Sequence, residues 1–175
     1  KAKPERALYS AMLSPQGKYL YDFFIIHMNG ELTIDCEAGR LGELKRKLNM
    51  YKLRSKVELI ELNKDFIVAA FIGDNVADAL QLNNGEGVAK SFLGGVAFID
   101  PRISSIGGRA VIPRENAREK LTEVGFSVGN PEEYETLRLR LGLPDGSRDM
   151  VVDKAILLEN GFQELNGIDW EKGCY

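Results

Sequence analysis

The sequence predicts an α+β protein with a largely antiparallel sheet, and two observations support this. Strand and helix patterns are mixed over residues 20–112, with hairpin signals between strands, whereas a doubly wound fold alternates strand and helix regularly. The 175 residues are 44% apolar and 28% charged, which suits a buried core and a well-solvated surface. We therefore expect one domain, alone or with a subdomain.

The first part of the chain predicts a hairpin followed by a helix. Residues 18–28 are rich in aromatic and β-branched side chains and predict a long strand. Asn29-Gly30 is the strongest two-residue hairpin signal and predicts a turn into a returning strand at 31–34. Asp35 is predicted to cap a helix. Its leucines recur at helical spacing, at Leu41, Leu44 and Leu48.

The middle of the chain predicts further strands with a short helix among them. The predicted strands lie at residues 57–62, 66–72, 92–99 and 109–112. A turn at 63–65 joins the first two, and Asp74 is predicted to cap a short helix after the second.

Two helices follow the last predicted strand. An apolar stripe predicts the first of them, at Ala117, Leu121 and Val124. Gly125 ends this helix. The second helix has the clearest boundaries: Asn130 is its N-cap and Pro131 its first helical residue. Gly142 and Pro144 end it.

The composition excludes several classes of protein. The net charge of −3 argues against direct DNA binding, because neutralising phosphates requires a basic face. No apolar run approaches the roughly 20 residues that cross a bilayer, so we expect no membrane association. With one histidine and no Cys-x-x-Cys pair, no metal site is predicted.

The two cysteines, Cys36 and Cys174, are predicted to be free thiols because they are far apart in sequence. Free thiols indicate a reducing compartment, and we take this to be the cytoplasm. Cys36 falls in the predicted first turn of a helix, where it would serve packing. Cys174 lies two residues after Lys172, and a nearby positive charge favours the reactive thiolate. An inert, partly buried thiol is the alternative.

Asp22 is the first candidate binding residue, because it interrupts an apolar strand face. In an extended strand it shares that face with Leu20, Phe24, Ile26 and Met28. A carboxylate in such a row is costly unless something pairs with it. Asp22 therefore binds a ligand, pairs with an arginine, or lies at an edge position near the start of the strand.

Arg138 and Glu159 are the other two candidates. Arg138 lies on the inward stripe of its helix and Arg140 points away from it. A guanidinium grips a carboxylate through two parallel hydrogen bonds, so Arg138 holds either a ligand acid or one of Asp22 and Glu159. Glu159 closes the apolar run 155–158, which predicts an acid at the end of a strand. A solvated acid is the alternative for Glu159.

The motifs of the chain, taken in order, resemble those of the YgfZ-like folate-binding proteins, which are relatives of the glycine-cleavage T-protein. The matching segments are SPQGK at 14–18, DPR at 100–102, GGR at 107–109, the helix and turn at 134–144, LENGF at 158–162 and KGCY at 172–175. The last segment begins the family signature KGCYxGQE, which true aminomethyltransferases lack. Leu157 departs from the family, which usually has proline there.

The resemblance implies a T-protein-like folate-binding domain over residues 1–175. It implies that this domain is incomplete, contains a ferredoxin-like subdomain at roughly 30–115, and lacks the C-terminal barrel of the family. It also implies tetrahydrofolate, or another reduced folate, as the cofactor. Asp22, Arg138 and Glu159 would be its binding residues, and Cys174 would be the reactive or cluster-linked thiol.

The function implied is that of a folate-binding accessory protein in the assembly or repair of iron–sulfur clusters, including those of tRNA-modifying enzymes. Its partners would be iron–sulfur enzymes or cluster-assembly proteins. A folate-dependent aminomethyltransferase is the alternative, in which Asp22 would lie beside a folate nitrogen. A catalytically silent scaffold that binds partner proteins is a third. The cysteine in KGCY speaks against the transferase, because that chemistry needs no thiol.

Overall fold

Two antiparallel sheets form the centre of the protein in the computed structural model, which describes residues 3–173. The first sheet has the order β1-β2-β3, with strands β1 (Leu8–Leu13), β2 (Tyr19–Met28) and β3 (Glu31–Cys36). The second has the order β4-β7-β6-β5, with strands β4 (Phe66–Phe71), β5 (Ala89–Phe92), β6 (Gly95–Ile99) and β7 (Gly108–Pro113). All strand pairs of these sheets are antiparallel, which confirms the predicted α+β class. The T-protein-like domain and its ferredoxin-like subdomain remain predictions.

Five helices accompany the sheets in the described part of the chain. They are α1 (Leu41–Tyr51), α2 (Val76–Ala79), α3 (Ala117–Glu123), α4 (Pro131–Arg140) and α5 (Gly146–Asp149). Short 3₁₀ turns lie at Ala38–Arg40, Ser104–Ile106 and Leu158–Asn160. No helix among these residues is both long enough and apolar enough to cross a membrane.

The two sheets pack face to face through an aromatic core. Phe24 of β2 lies 5.9 Å from Phe98 of β6 between ring centroids, and 5.4 Å from Tyr9 of β1. Tyr9 in turn stacks on Phe162 at 5.0 Å. Each buried aromatic ring of this kind contributes on the order of 2 kcal/mol through removal of apolar surface from water. This core fixes the position of the residues at the start of β2.

Helices cover the outer faces of both sheets. Leu44 of α1 is buried against the outer face of the first sheet, beside Phe23. Val76 and Leu80, within and just after α2, pack on the outer face of the second sheet together with Ala117 of α3. The layers therefore run helix, sheet, sheet, helix.

Two hairpins show how local chemistry sets the turns. Asn29 and Gly30 have φ of 53° and 85°, the left-handed pair that a tight two-residue hairpin requires, and the predicted turn is confirmed. Leu93 and Gly94 adopt the same geometry, with φ of 47° and 82°, so the predicted strand 92–99 is instead a hairpin of β5 and β6. The sequence concealed this turn because leucine rarely adopts a positive φ.

The predicted helix cap at Asp35 is wrong. Asp35 lies inside β3, and its carboxylate accepts two hydrogen bonds from Arg109 of β7, the shorter at 2.7 Å. This ion pair joins the two sheets, so the aspartate is used in tertiary packing rather than at a helix end. Cys36, predicted in a helix, is consequently the last residue of β3. Helix α1 begins only at Leu41, after a 3₁₀ turn.

The strand predicted at 57–62 is also wrong, because this segment joins neither sheet. The following turn explains the difference. The N–H groups of Asp65 and Phe66 both donate to the carbonyl of Leu62, which makes a helical turn instead of a hairpin. Arg114 holds this turn by donating to the carbonyls at Asn63 and Lys64. The chain therefore enters β4 without folding back on it.

The two helix starts predicted from capping residues differ in outcome. Helix α4 begins as predicted, with the Asn130 side chain accepting a hydrogen bond of 3.0 Å from the N–H of Glu132 and with Pro131 as its first residue. Helix α2 follows Asn75 instead of Asp74, and neither side chain caps it. The start of α4 was predicted from two independent preferences, those of Asn130 and Pro131, whereas the start of α2 was predicted from Asp74 alone.

Candidate functional site

Asp22 lies near the start of β2, on the face that meets the second sheet. An irregularity in the strand decides what surrounds it. Met12 pairs with Tyr21 and Leu13 pairs with Tyr19, so Leu20 is left without a partner, as in a β-bulge. The extra residue turns Tyr19 onto the same face as Asp22, although their spacing of three would place them on opposite faces of a regular strand.

Two tyrosine hydroxyls hold the Asp22 carboxylate. The Tyr9 hydroxyl donates to Oδ2 at 2.9 Å, and the Tyr19 hydroxyl donates to Oδ1 at 2.8 Å. Burial raises the pKa of Asp22, and these hydrogen bonds offset part of that rise. Burial, reinforced by Asp22, also raises the pKa of both tyrosines, which keeps them as donors. Because a carboxylate has about four acceptor positions, Asp22 retains about two for a ligand.

A second carboxylate, that of Glu37, lies close to Asp22 across Gly146. A Cβ atom on Gly146 would lie 3.3 Å from both Asp22 Oδ1 and Glu37 Oε2, and Gly146 has a φ of 50°, so any other residue here would be both crowded and strained. The Ser147 hydroxyl donates to Glu37 at 2.9 Å. The turn of α5 thus covers Asp22 and is fastened to the chain after β3.

A narrow cleft lies beside Asp22, and Arg40, in the 3₁₀ turn Ala38–Arg40, lines it. Its guanidinium lies 4.1 Å from the Tyr21 ring centroid, and one terminal nitrogen lies 4.0 Å from Glu37 Oε2. That nitrogen is buried and has no hydrogen-bond partner among the described residues. The cleft between Asp22 and Arg40 is too narrow to admit a water-sized sphere. A ligand therefore reaches Asp22 only after residues lining this cleft move.

The DPR motif builds a buried ion pair beside this site. Arg102 donates from Nε and from a terminal nitrogen to the two carboxylate oxygens of Asp100, at 3.0 and 2.8 Å. Asp100 is 1% exposed and Arg102 is 5% exposed. The guanidinium also lies 5.0 Å from the centroid of the Phe24 ring. Burial alone would lower the pKa of Arg102, but its bonds to Asp100 outweigh this and raise it.

Arg138 faces inward, as predicted, but neither Asp22 nor Glu159 is its partner. It is 3% exposed and binds Glu135 and Asp149, and it also donates to the carbonyl of Leu143 at 2.8 Å. No hydrogen bond or ion pair among residues 3–173 joins it to Asp22 or Glu159. Because Asp149 is the last residue of α5, Arg138 anchors the turn that covers Asp22.

Arg138→Ala is expected to lower the free energy of unfolding by about 1–3 kcal/mol, because it strands the buried carbonyl of Leu143. Glu135 and Asp149 are about one-third exposed and regain water, which limits the cost. Arg140 is exposed, so Arg140→Ala should stay within about 0.5 kcal/mol of the parent. Urea unfolding of the two variants checks this, and equal stabilities would contradict it.

Glu159 was predicted to lie at the end of a strand, and this is wrong because residues 155–158 form no strand. It lies in the 3₁₀ turn Leu158–Asn160 and is exposed. The turn forms because Phe162, which is fully buried, donates its N–H to the carbonyl of Leu157 and draws the chain inward. Whether Glu159 contacts a ligand is still a prediction.

The two thiols differ in what the structure says of them. Cys174 lies outside the described residues. Burial, together with the charge of Asp35, raises the pKa of Cys36 to about 11, which keeps this thiol protonated and unreactive. Among residues 3–173, no three His, Cys, Asp or Glu side chains are grouped closely enough to hold a metal ion.

Sequence reasoning found Asp22 but missed the side chains around it. Those residues are Tyr9, Tyr19, Glu37, Arg40 and Ser147. Tyr19 was concealed by the bulge at Leu20, which periodicity does not reveal. Ser147 and Glu37 are 110 residues apart, and no local pattern connects them. The one usable signal was Gly146, whose neighbourhood in the sequence, Pro144-Asp145-Gly146, is typical of a turn.

The fold and the site together define an α+β protein with two packed antiparallel sheets and a tyrosine-held carboxylate at their junction. No protein-family model matches the chain. It is 28% identical to the mitochondrial iron–sulfur cluster assembly factor IBA57 of Homo sapiens, over 97% of this chain and 47% of that protein. It is 28% identical to the IBA57 homologue of Mycosarcoma maydis and 27% identical to that of Neurospora crassa. These alignments cover 99% and 95% of the chain, and 41% and 39% of the relatives.

These comparisons correct one prediction and limit others. The predicted cytoplasmic location is wrong, since all three relatives are named as mitochondrial proteins, which points to mitochondria. Free thiols indicate a reducing compartment without identifying it, and this is why cysteine usage misled. The chain spans less than half the length of these relatives, so the activity of a whole protein is a matter for proposal.

Proposed function

We propose that the intact protein is a mitochondrial iron–sulfur cluster assembly factor that binds a reduced folate at Asp22. The observation that supports the role in cluster assembly is the likeness to proteins of that name over 95–99% of this chain. None of the three relatives is named as an aminomethyltransferase, and this favours an accessory factor over the transferase. Its partners are other cluster-assembly proteins and iron–sulfur enzymes, among them enzymes that modify tRNA.

The geometry of Asp22 supports a ligand that presents two hydrogen-bond donors side by side. The pterin ring of tetrahydrofolate carries an N–H next to an amino group, and one carboxylate accepts both. Tyr9 and Tyr19 fix the orientation of the Asp22 carboxylate and leave acceptor positions free. Such pre-arranged groups lose little freedom when the ligand arrives, and this increases the affinity.

The other predicted binding residues act at a distance from Asp22 in this proposal. Arg138 is occupied by Glu135, Asp149 and Leu143, so it acts by setting the position of the α5 turn. Glu159, on its exposed turn, contacts a part of the folate away from Asp22. Gly146 gives the turn its close approach to Asp22, and ligand binding displaces this turn.

Cys174 supplies a thiol for the iron–sulfur function. Its motif, Lys172-Gly173-Cys174, places a cation near the sulfur, which favours the thiolate that reacts or ligates iron. Cys36 cannot take this role, because its pKa is raised to about 11 within the fold. The folate site and the thiol are thus separate parts of one protein.

Asp22→Asn is expected to weaken tetrahydrofolate binding by about tenfold to a hundredfold, because it removes charge-assisted hydrogen bonds of about 1.5–3 kcal/mol. The parent affinity should also fall as the pH drops through the raised pKa of Asp22, because protonation removes acceptor positions. The asparagine variant should lack this pH dependence. Calorimetric titration of the intact protein across the acidic range measures both.

Asp65→Asn is the matched control for this titration. Asp65 is exposed, and its side chain makes no hydrogen bond or ion pair within residues 3–173. Its variant should bind folate as the parent does. Equal affinity for tetrahydrofolate in the Asp22→Asn and Asp65→Asn proteins would exclude Asp22 from the folate site.

A further inference from the structure

One segment of the chain has a charge unlike that of the rest. Residues 45–56 contain six basic side chains and no acidic one. The other 17 basic residues (23 less these six) are accompanied by all 26 acidic ones. The segment covers the second half of α1 and the turn after it, and we call its exposed surface the basic tip. The dipole of α1 accounts for one or two cations at its C-terminal end, but not for six.

Exposed apolar side chains lie within the basic tip and in the residues just after it, where the acidic Glu58 also lies. Five large hydrophobic residues stand out from the surface between residues 50 and 60, and they are Met50, Tyr51, Leu53, Val57 and Ile60. Single exposed apolar residues are ordinary, but five within eleven positions form a patch of the kind that marks an interaction site. The opposite side of α1 is occupied, since Leu44 packs on the first sheet.

Leu53 combines a strained backbone conformation with an exposed apolar side chain. Its φ of 47° is left-handed, a conformation that suits glycine at a helix end and costs leucine about 1–2 kcal/mol. Its side chain is 84% exposed, so burial does not offset this cost. Leu93 has the same φ, but it packs against the core beside Phe92 and is compensated.

The free cations around Leu53 define the chemistry of the partner. Arg46, Arg54 and Lys56 are exposed and make no ion pair within residues 3–173. Lys52 instead fixes the turn by donating to the carbonyl of Val57 at 3.1 Å. The tip is therefore an ordered projection that presents positive charge around an apolar side chain. Such a tip is complementary to a partner surface that has negative charge in its outer layer and apolar material below that layer.

We propose that the basic tip docks the protein peripherally on an anionic lipid membrane, with Leu53 and Met50 entering the interface. This proposal departs from the expectation of no membrane association, which rested on the lack of an apolar run that crosses a bilayer and does not bear on surface binding. Clusters of four to eight basic residues on an amphipathic helix are typical of anionic-lipid binding. One of the six cations, Lys45, pairs with Glu61 at 3.0 Å, and the other five make no ion pair within residues 3–173, a number within the range typical of lipid binding. Lysine and arginine stems lie along apolar material while their charges stay in the headgroup region.

The test uses the intact protein and vesicles of phosphatidylcholine, with or without about one-quarter phosphatidylglycerol. We expect sedimentation with the anionic vesicles only, weakening as salt rises because exposed charges are screened. Replacing Arg46, Arg54 and Lys56 together by glutamine should reduce the partition coefficient about a hundredfold. The same change at Arg118, Arg140 and Lys154, which are exposed elsewhere, should have a much smaller effect.

Leu53→Gly separates docking from folding. Glycine relieves the left-handed strain, so the melting temperature should hold or rise by about 2–4 °C. Loss of the inserted side chain should weaken vesicle binding about tenfold. Leu139→Ala, at a leucine 59% exposed on α4, is the control and should bind as the parent does. Absence of binding to anionic vesicles at low salt would overturn the proposal, and it would favour an acidic protein as the partner instead. Unchanged vesicle binding by Leu53→Gly would also overturn the proposal.

Discussion

Arg102→Ala is expected to lower the free energy of unfolding by about 3–5 kcal/mol, because it leaves the Asp100 carboxylate buried and unpaired. Asp100 is 1% exposed, and two side-chain hydrogen bonds and the backbone N–H of Arg102 hold it. The change also empties space against the Phe24 ring, at the centre of the packing between the sheets. A loss of this size is a large part of the roughly 5–15 kcal/mol that stabilises a domain.

Urea unfolding measures this loss, with two comparisons. Arg118→Ala, on an exposed position of α3, should stay within about 0.5 kcal/mol of the parent. The double variant Asp100→Ala/Arg102→Ala should be more stable than Arg102→Ala alone, because it removes the stranded charge. A loss below about 1 kcal/mol for Arg102→Ala would show that water reaches Asp100 and that the pair is not a core element.

Cys174→Ser is expected to abolish support of iron–sulfur enzymes while leaving folding and folate binding unchanged. The thiolate is the form of cysteine that reacts or binds iron, and a serine hydroxyl does not replace it. The hydrogen bonds that hold Asp22 come from Tyr9 and Tyr19, and neither depends on Cys174. The measurement is iron–sulfur enzyme activity in a strain that lacks the endogenous gene and carries the variant of the intact protein.

Cys36→Ser is the matched comparison for Cys174→Ser. Cys36 lies at the end of β3 with its pKa raised to about 11, so it should react slowly with alkylating reagents near neutral pH. Its serine variant should therefore restore enzyme activity. Full restoration by Cys174→Ser would place the mechanism in the folate site alone.

The predictions from sequence succeeded where a local signal has one structural meaning. Asn29-Gly30 forms a hairpin because few other residues adopt two left-handed conformations in succession. Asn130 and Pro131 start α4 because both preferences act at the same boundary. Leu93 is the opposite case: the turn there was not predicted, because leucine rarely adopts a positive φ, and packing on the second sheet compensates the strain.

The predictions failed where a distant residue decided the outcome. Asp35 resembles a helix cap, but Arg109, 74 residues further along the chain, binds it within the sheet. After residues 57–62, Arg114 binds the carbonyls of Asn63 and Lys64 in a helical turn, where the sequence pattern favours a hairpin. Such competition is invisible to a reading of short windows.

The candidate site shows the same division. Alternation along β2 placed Asp22 on the face of Phe24, Ile26 and Met28, and that position is confirmed. Leu20, predicted on the same face, packs on the opposite one because of the bulge. The tyrosines that hold Asp22 required knowledge of the bulge at Leu20, and the α5 cover required contacts between distant segments. The partners of Arg138 were missed because Asp149 was assigned to no element in the sequence.

In the proposed function, a folate held at Asp22 serves iron–sulfur cluster assembly. The most direct test is the activity of an iron–sulfur enzyme in a strain that lacks the endogenous gene and produces the Asp22→Asn form of the intact protein. We predict that enzyme activity stays close to that of the strain without the gene, although the Asp22→Asn protein is present at normal abundance. The Asp65→Asn control should restore full activity. Full activity with Asp22→Asn, in a protein that calorimetry shows to have lost folate binding, would contradict the account.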